Sequence, residues 1–351
     1  MSRSSQLTVG DAVDWSFAGT VGARLARPGP PATDYTRAQV TDDLMASSRS
    51  AEGPVRDVTG LSADSPVPDA RIVDRTGWIH AASQSMRVMM GWPNSRSATP
   101  NVVTGRVAGA QTGAVLAFVS SAILGQYDPF AQGRAGGSLL LVYPNVIAAE
   151  RQLRVDPRDF RLWVCLHEVT HRVQFTANPW LAGHMSRAIG VLTSDPADAA
   201  EVLRRLAGVV KGRRESAPHT HAPGIVGMLR AVQSEPQQAA LDDLLVLGTL
   251  LEGHADHVMD AVGPAVVPSV SLIRRRFDDR RQRRQPPLQR LLRALLGVDA
   301  KLSQYTRGKA FVDHVVGRVG MARFNAVWSS PATLPTPREI EDPERWIERV
   351  L

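Results

Sequence analysis

The chain has 351 residues, 43% of them hydrophobic, and 41 Lys and Arg against 34 Asp and Glu give it a net charge of +7. That length and apolar content exclude a disordered chain and allow one large domain or two ordinary ones. The single cysteine, Cys165, excludes a disulfide framework, and no apolar segment with a cleavage site follows Met1 to Gln6, so a cytoplasmic location is expected.

In chain order, a helix is predicted from Asp11 to Ala26, ended by Pro28-Gly29-Pro30-Pro31, and a second begins near Tyr35. Ser62 to Asp69, with Pro66 and Pro68, forms the next break. Residues 1–70 are therefore expected to form a helical segment that packs on a body of residues 71–351. A helix carrying Trp78, Ile79, Met86, Met89 and Met90 comes next, closed by a turn from Gly91 to Pro100. Val107 to Tyr127 is uncharged and just long enough to span a bilayer. Its Gly109, Gly113, Gly125, Ser and Gln residues suit tight packing better, so a buried helix and no membrane span are expected. The best strand of the sequence follows at Leu139 to Tyr143, after Gly136-Gly137.

Asp156-Pro157-Arg158-Asp159 reads as an N-cap, a proline in the first turn and a favourable carboxylate beside it. From there Phe160, Trp163, Val164, Leu166, Val169 and Val173 keep helical spacing until Asn178-Pro179. This helix carries His167-Glu168-Val169-Thr170-His171. Positions i and i+4 share a face, so both imidazoles can reach one zinc ion, with Glu168 beside the open coordination position. A zinc ion lowers the pKa of water towards about 7, and a neighbouring carboxylate can take its proton. With 9 His in the chain, a chance match to this pattern has a probability on the order of one in a hundred.

A third ligand is required. In the pattern H-E-x-x-H-x-x-G-x-x-H the glycine would fall at Gln174 and the last histidine at Ala177, which excludes that class. Leu251-Glu252-Gly253-His254-Ala255-Asp256-His257 lies within an apolar stretch, Leu241 to Val262, that reads as a buried helix. At about 100° per residue, Asp256 lies about 40° from Glu252 and His254 about 200° away. Glu252 is the expected ligand, with Asp256 accepting the free ring N–H of a ligand histidine. His254 and His257 compete with Glu252, because imidazole is as good a donor to zinc.

Other candidates carry less. His219 and His221 stand between prolines in an expected loop, and His80, His184 and His314 stand alone. Arg274 to Arg284 holds seven arginines and two aspartates and could attract an anionic partner. Phe277 alone offers no stacking platform there, so a nucleic-acid partner is not expected.

The chain resembles the zincin-like metallopeptidase family of actinobacteria and relatives, in particular the branch associated with biosynthesis of a deazaflavin coenzyme. The resemblance rests on Asp14-Trp15, Arg27-Pro28-Gly29-Pro30, Gly125-Gln126-Tyr127-Asp128, HEVTHRVQF, EGHADHVMD, Gln304-Tyr305 with Gly308, and Phe324-Asn325-Ala326-Val327-Trp328 leading to Leu334-Pro335-Thr336. It implies a mainly α (α+β) zincin-like helical metallohydrolase with a small sheet, in which the strand before the metal helix is the edge that pairs with an extended substrate. The expected centre is Zn2+ on His167, His171 and Glu252, with Glu168 as catalytic base, Asp256 behind the ligands, and Tyr305 or His314 as oxyanion stabiliser. The expected substrate is a peptide or protein. The competing expectation is a zincin-fold scaffold without catalysis, linked to coenzyme metabolism.

Overall fold

A computed structural model of the chain describes residues 13–62, 67–91, 102–131, 136–193, 234–282 and 298–351. The Asp14 carboxylate accepts from the Phe17 N–H at 2.9 Å, so α1 runs Trp15–Leu25, with its N-terminus set by this cap rather than at Asp11. Thr33 caps α2 (Asp34–Ser50), and α3 (Glu52–Thr59) ends at Gly60, whose φ of 64° is left-handed. After β1 (Arg71–Val73) come α4 (Arg75–Gly91) and α5 (Val102–Val119). The uncharged stretch predicted as one helix therefore divides, since Gly125–Asp128 is strand β2. The break has a side-chain cause: Asn145 Nδ2 donates to the Ser120 and Ile123 carbonyls at 2.7 and 2.6 Å, giving them the partners that a continued helix would have supplied. Long and apolar enough to cross a membrane by length and composition, α5 packs Gly105, Gly109 and Gly113 against α1 and leaves Val102, Val103 and Val107 exposed.

Strand β3 (Ser138–Val142) falls where the sequence predicts it but takes the centre of the sheet, in the order β1-β3-β2. All five of its residues are buried. It pairs parallel with β1, Ile72 opposite Leu141, and antiparallel with β2, Gln126 opposite Leu140. An apolar run buried on both faces belongs in the middle of a sheet, so the edge near the expected site is β2. With three residues, β1 is too short to show a period of two.

The remaining long elements are α6 (Tyr143–Leu153), α7 (Pro157–Ala177), α8 (Trp180–Thr193), α9 (Glu235–Val262), α10 (Val270–Gln282) and α11 (Val298–Val319). Short helical turns, ending in Pro343–Val350, close the C-terminus over α11. The fold is thus mainly helical around a small three-stranded sheet. At its middle α7 buries Phe160, Val164, Leu166, Val169 and Val173, with α2 and α3 on one side and α9 on the other. Two buried arginines tie the layers together, Arg161 to Glu150 and Asp43, and Arg172 to Glu52. Removing one partner would strand a buried charge, so these pairs fix how the layers register.

The position of α9 depends on its crossing with α11. A Cβ on Gly253 would stand 2.1 Å from the Gly308 carbonyl carbon, and one on Gly308 would stand 2.1 Å from the Thr249 carbonyl oxygen. No side-chain rearrangement relieves a clash with backbone. Gly253→Ala is therefore expected to destabilise the protein by about 3 kcal/mol or more, against the usual gain from replacing a helical glycine. Gly248, on the same helix, has nothing within 4 Å of the point where a Cβ would stand, so Gly248→Ala should be neutral or stabilising by up to about 1 kcal/mol. Urea denaturation of both variants, in chelator, tests the contrast.

Candidate metal centre

Helix α7 begins as its sequence predicts. The Asp156 carboxylate accepts from the N–H groups of Arg158 and Asp159 at 2.9 and 3.0 Å, with Pro157 in the first turn. His167 and His171 then project from one face, one turn apart, toward α9. The two helices run antiparallel here, because His167 meets Met259 while Gln174, seven residues later, meets Leu251. This pairing carries Glu252 to the two histidines.

Three atoms converge. His167 Nε2 and His171 Nε2 are 3.1 Å apart, and Glu252 Oε2 lies 3.3 Å from the first and 3.7 Å from the second. Donors bound at zinc distances in a tetrahedral arrangement are separated by about 3.3 Å. Each ring turns its Nδ1 elsewhere, His171 to Gln174 Oε1 at 2.9 Å and His167 to Met259 Sδ at 3.3 Å. Glu252 Oε2 is buried and has no hydrogen-bond partner. Nitrogen lone pairs and a carboxylate oxygen held this close repel one another unless a cation sits among them. The field says the same: burial opposes charge on His167, yet the adjoining Glu252 carboxylate outweighs it and raises the pKa to about 9. Burial works against the Glu252 carboxylate too, but the two histidines beside it hold its pKa well below the ordinary carboxylate range. The donor set fits a divalent cation of zinc's preferences, and it is the one such cluster of three among the described residues.

Beside the triangle, Glu168 is 7% exposed and faces the start of β2. A Cβ on Gly125 would stand 2.7 Å from Glu168 Cγ, so only glycine leaves room for this carboxylate between helix and strand. Burial raises the Glu168 pKa, the neighbouring histidines pull it back, and Glu252 adds to the rise. That combination suits a group that must both accept and return a proton. The triangle and Glu168 open onto a cleft of about 890 Å³. Trp163, Met259 and Phe277 line it toward the N-terminal end of α7, and Phe175, Met185 and Leu244 line it toward the other.

The other sequence candidates lie elsewhere or have other partners. Asp256 lines the cleft, but its carboxylate accepts from Arg274 Nη1 at 3.0 Å rather than from a histidine ring. An arginine provides a stronger, charge-assisted bond than a neutral imidazole, and α10 delivers it. His257 Nδ1 pairs with Asp313 at 2.7 Å, away from the triangle. His254 is fully buried on the side of α9 opposite Glu252, stacked on Phe324, and burial pushes its pKa down to about 3. His314 is not positioned as an oxyanion stabiliser, because it stands on the surface with Nε2 2.7 Å from Glu344. Tyr305 belongs to α11, and its side chain lies outside the described residues, as do His219 and His221. Cys165 points away from the metal face, toward the Leu44 carbonyl, and burial raises its thiol pKa. In the arginine run, Arg274 binds Asp256 and Asp260, and Arg276 binds the Leu153 and Arg154 carbonyls. Those two serve the fold, while Arg283 and Arg284 lie outside the described residues.

Gln174, Gly125 and Met259 are the site residues that sequence reasoning passes over. For Gln174 a signal exists: it is seven residues after His167, a polar side chain on the buried face of an apolar helix. For the other two the cause is an approach of separate segments, which no local pattern carries.

A family model described as zincin-like metallopeptidase matches residues 13–347. A crystal structure from Chloroflexus aurantiacus, described as "a putative hydrolase with a novel fold", is similar over 96% of this chain and 98% of that one, at 28% identity and a TM-score of 0.66. None of the curated proteins matches.

Protein purified without added zinc is expected to carry about one zinc per chain, and chelation should lower its melting temperature. Glu252→Ala should lose the metal about as fully as His171→Ala. Elemental analysis of the three proteins checks both, and zinc retained by Glu252→Ala at the wild-type level would remove Glu252 from the ligand set.

Proposed function

The chain belongs to the zincin-like metallopeptidase family, and we propose that it is a zinc-dependent hydrolase acting on peptide bonds. The observation that carries this reading is the convergence of His167 Nε2, His171 Nε2 and Glu252 Oε2 within 4.8 Å of one another, with Glu168 alongside. When bound there, a zinc ion would supply Lewis acidity to a scissile carbonyl and acidify a water. Glu168 accepts the proton of the attacking water on its carboxylate and returns it to the leaving amine nitrogen. His167, His171 and Glu252 would hold the ion, and the proton transfer falls to Glu168. The bare scaffold alternative gives no reason for a buried carboxylate beside the two histidines, with a glycine opposite to make room for it.

The cleft supports a peptide over a small anionic metabolite. On its outer side β2 pairs with no strand among the described residues, and Gly125 to Asp128 line the cleft beside Glu168. An extended chain can add there as an antiparallel strand and present its carbonyl to the centre. No Lys or Arg lines the cleft among the described residues, although the chain carries +7 overall. Trp78, Met86, Met89, Phe130 and Met185 give it instead a broad apolar wall. Methionines fill and refill irregular space, so this wall suits large apolar side chains of varied shape. These features favour uncharged, apolar peptide segments and do not support an anionic coenzyme as the substrate.

A library of unstructured peptides containing Leu, Met and Phe should yield cleavage products by mass spectrometry. Glu168→Gln should keep its zinc and its fold while cleavage falls by about 10²- to 10⁴-fold. Equal rates for wild type and Glu168→Gln at equal zinc content would overturn the assignment of the base. A preference for acidic peptides would overturn the reading of the cleft.

A further inference from the structure

Behind the proposed ligands lies a buried polar chain that joins the two metal-bearing helices. Gln174 is 0% exposed and makes three contacts: Oε1 with His171 Nδ1 at 2.9 Å, Nε2 with the Leu251 carbonyl oxygen at 3.0 Å, and Nε2 with His254 Nδ1 at 2.9 Å. Only one arrangement of hydrogens satisfies all three. A carbonyl oxygen can only accept, so the amide NH2 must face Leu251, and Oε1 must face His171. Oε1 can only accept, so His171 Nδ1 carries a proton, and in the neutral ring the lone pair is then on Nε2, facing His167 and Glu252. The second amide hydrogen requires a lone pair on His254 Nδ1, so His254 carries its proton on Nε2.

We infer that Gln174, oriented by the Leu251 carbonyl and by His254, is a positioning residue that fixes His171 in the Nδ1–H tautomer and locks α7 to α9 at the ligand triangle. The inference rests on the metal centre proposed above. The Leu251 carbonyl is part of the peptide bond that joins it to Glu252, so one side-chain amide bears on both the tautomer of a ligand on α7 and the placement of a ligand on α9. His254 is needed although it approaches no metal. Its ring is held by stacking on Phe324 at 5.5 Å between centroids and by Trp328 at 5.4 Å, which links the clamp to the C-terminal layer. The other ligand is held differently. Among the described residues His167 Nδ1 meets the Met259 thioether, a weak acceptor, so orientation at the centre is concentrated in His171.

The test uses the full chain with zinc and with Co2+ as a spectroscopic substitute. Gln174→Leu keeps the volume and removes every hydrogen bond, and His254→Phe keeps the stacking and removes the acceptor. Both should fold, judged by far-UV circular dichroism and by melting in chelator. Gln174→Leu should weaken zinc binding by about ten- to a hundredfold, and His254→Phe by a smaller factor. The visible absorption of the Co2+ form should shift in both. In metal-free wild type, the 15N resonances of His171 should report protonation at Nδ1, and Gln174→Leu should give a mixture of tautomers. If Gln174→Leu fails to fold, His254→Phe and the wild-type tautomer still decide the matter. Unchanged zinc affinity and an unchanged Co2+ spectrum in the folded variants, or a wild-type His171 protonated at Nε2 and bare at Nδ1, would overturn the clamp and leave the metal centre standing. A wild-type protein that binds no divalent metal would instead overturn the centre on which the clamp depends.

Discussion

Three electron-rich atoms aimed at one point set the demand that the rest of the structure meets. His167 Nε2, His171 Nε2 and Glu252 Oε2 stand 3.1 to 3.7 Å apart in a site largely withdrawn from water. Such a cluster repels itself at low dielectric, so the fold must hold it together, and a bound cation then repays the cost. Two helices, a sheet edge and a glycine crossing share that task. Each holds a different coordinate of the centre.

Helix α7 fixes the spacing of its two histidines through its own geometry, since residues four apart lie one above the other. The direction of α9 is fixed by contact, with the Gly253 and Gly308 backbones touching as they cross. Because Gly253 immediately follows Glu252, this close backbone crossing lies next to the third proposed ligand. Sheet geometry supplies the remaining wall. With β3 filled on both faces, β2 is pushed to the edge, and Gly125 at its start lets Glu168 lie against the strand. One arrangement therefore buries Glu168, the proposed base, and leaves a strand edge open to the cleft.

Charge follows the same division of labour. The arginines nearest the centre face acidic partners or carbonyls rather than the cleft: Arg274 holds Asp256 and Asp260, and Arg172 holds Glu52. A strongly basic chain thus keeps, among the described residues, a methionine-rich wall without Lys or Arg around an acidic centre. Positive potential close to the triangle would oppose binding of a cation there, and these internal pairs neutralise it.

By itself the sequence determined what short-range physics can write. The capped helix from Asp156, the shared face of His167 and His171, the neighbouring Glu168, and the opposite facing of Glu252 and His254 all follow from 3.6 residues per turn and from cap chemistry. The tertiary structure decided what depends on approach between segments distant in sequence. It broke the uncharged stretch at Ser120, where Asn145 takes over the carbonyls, and turned its end into β2. It put β3 at the centre of the sheet and gave Asp256 to an arginine from α10. It paired His314 with Glu344 at the surface, and it made Gln174 the link between His171 and α9. Helical periodicity says which residues share a face, but which partner that face meets depends on backbones packing to within an ångström, and no local pattern encodes that distance.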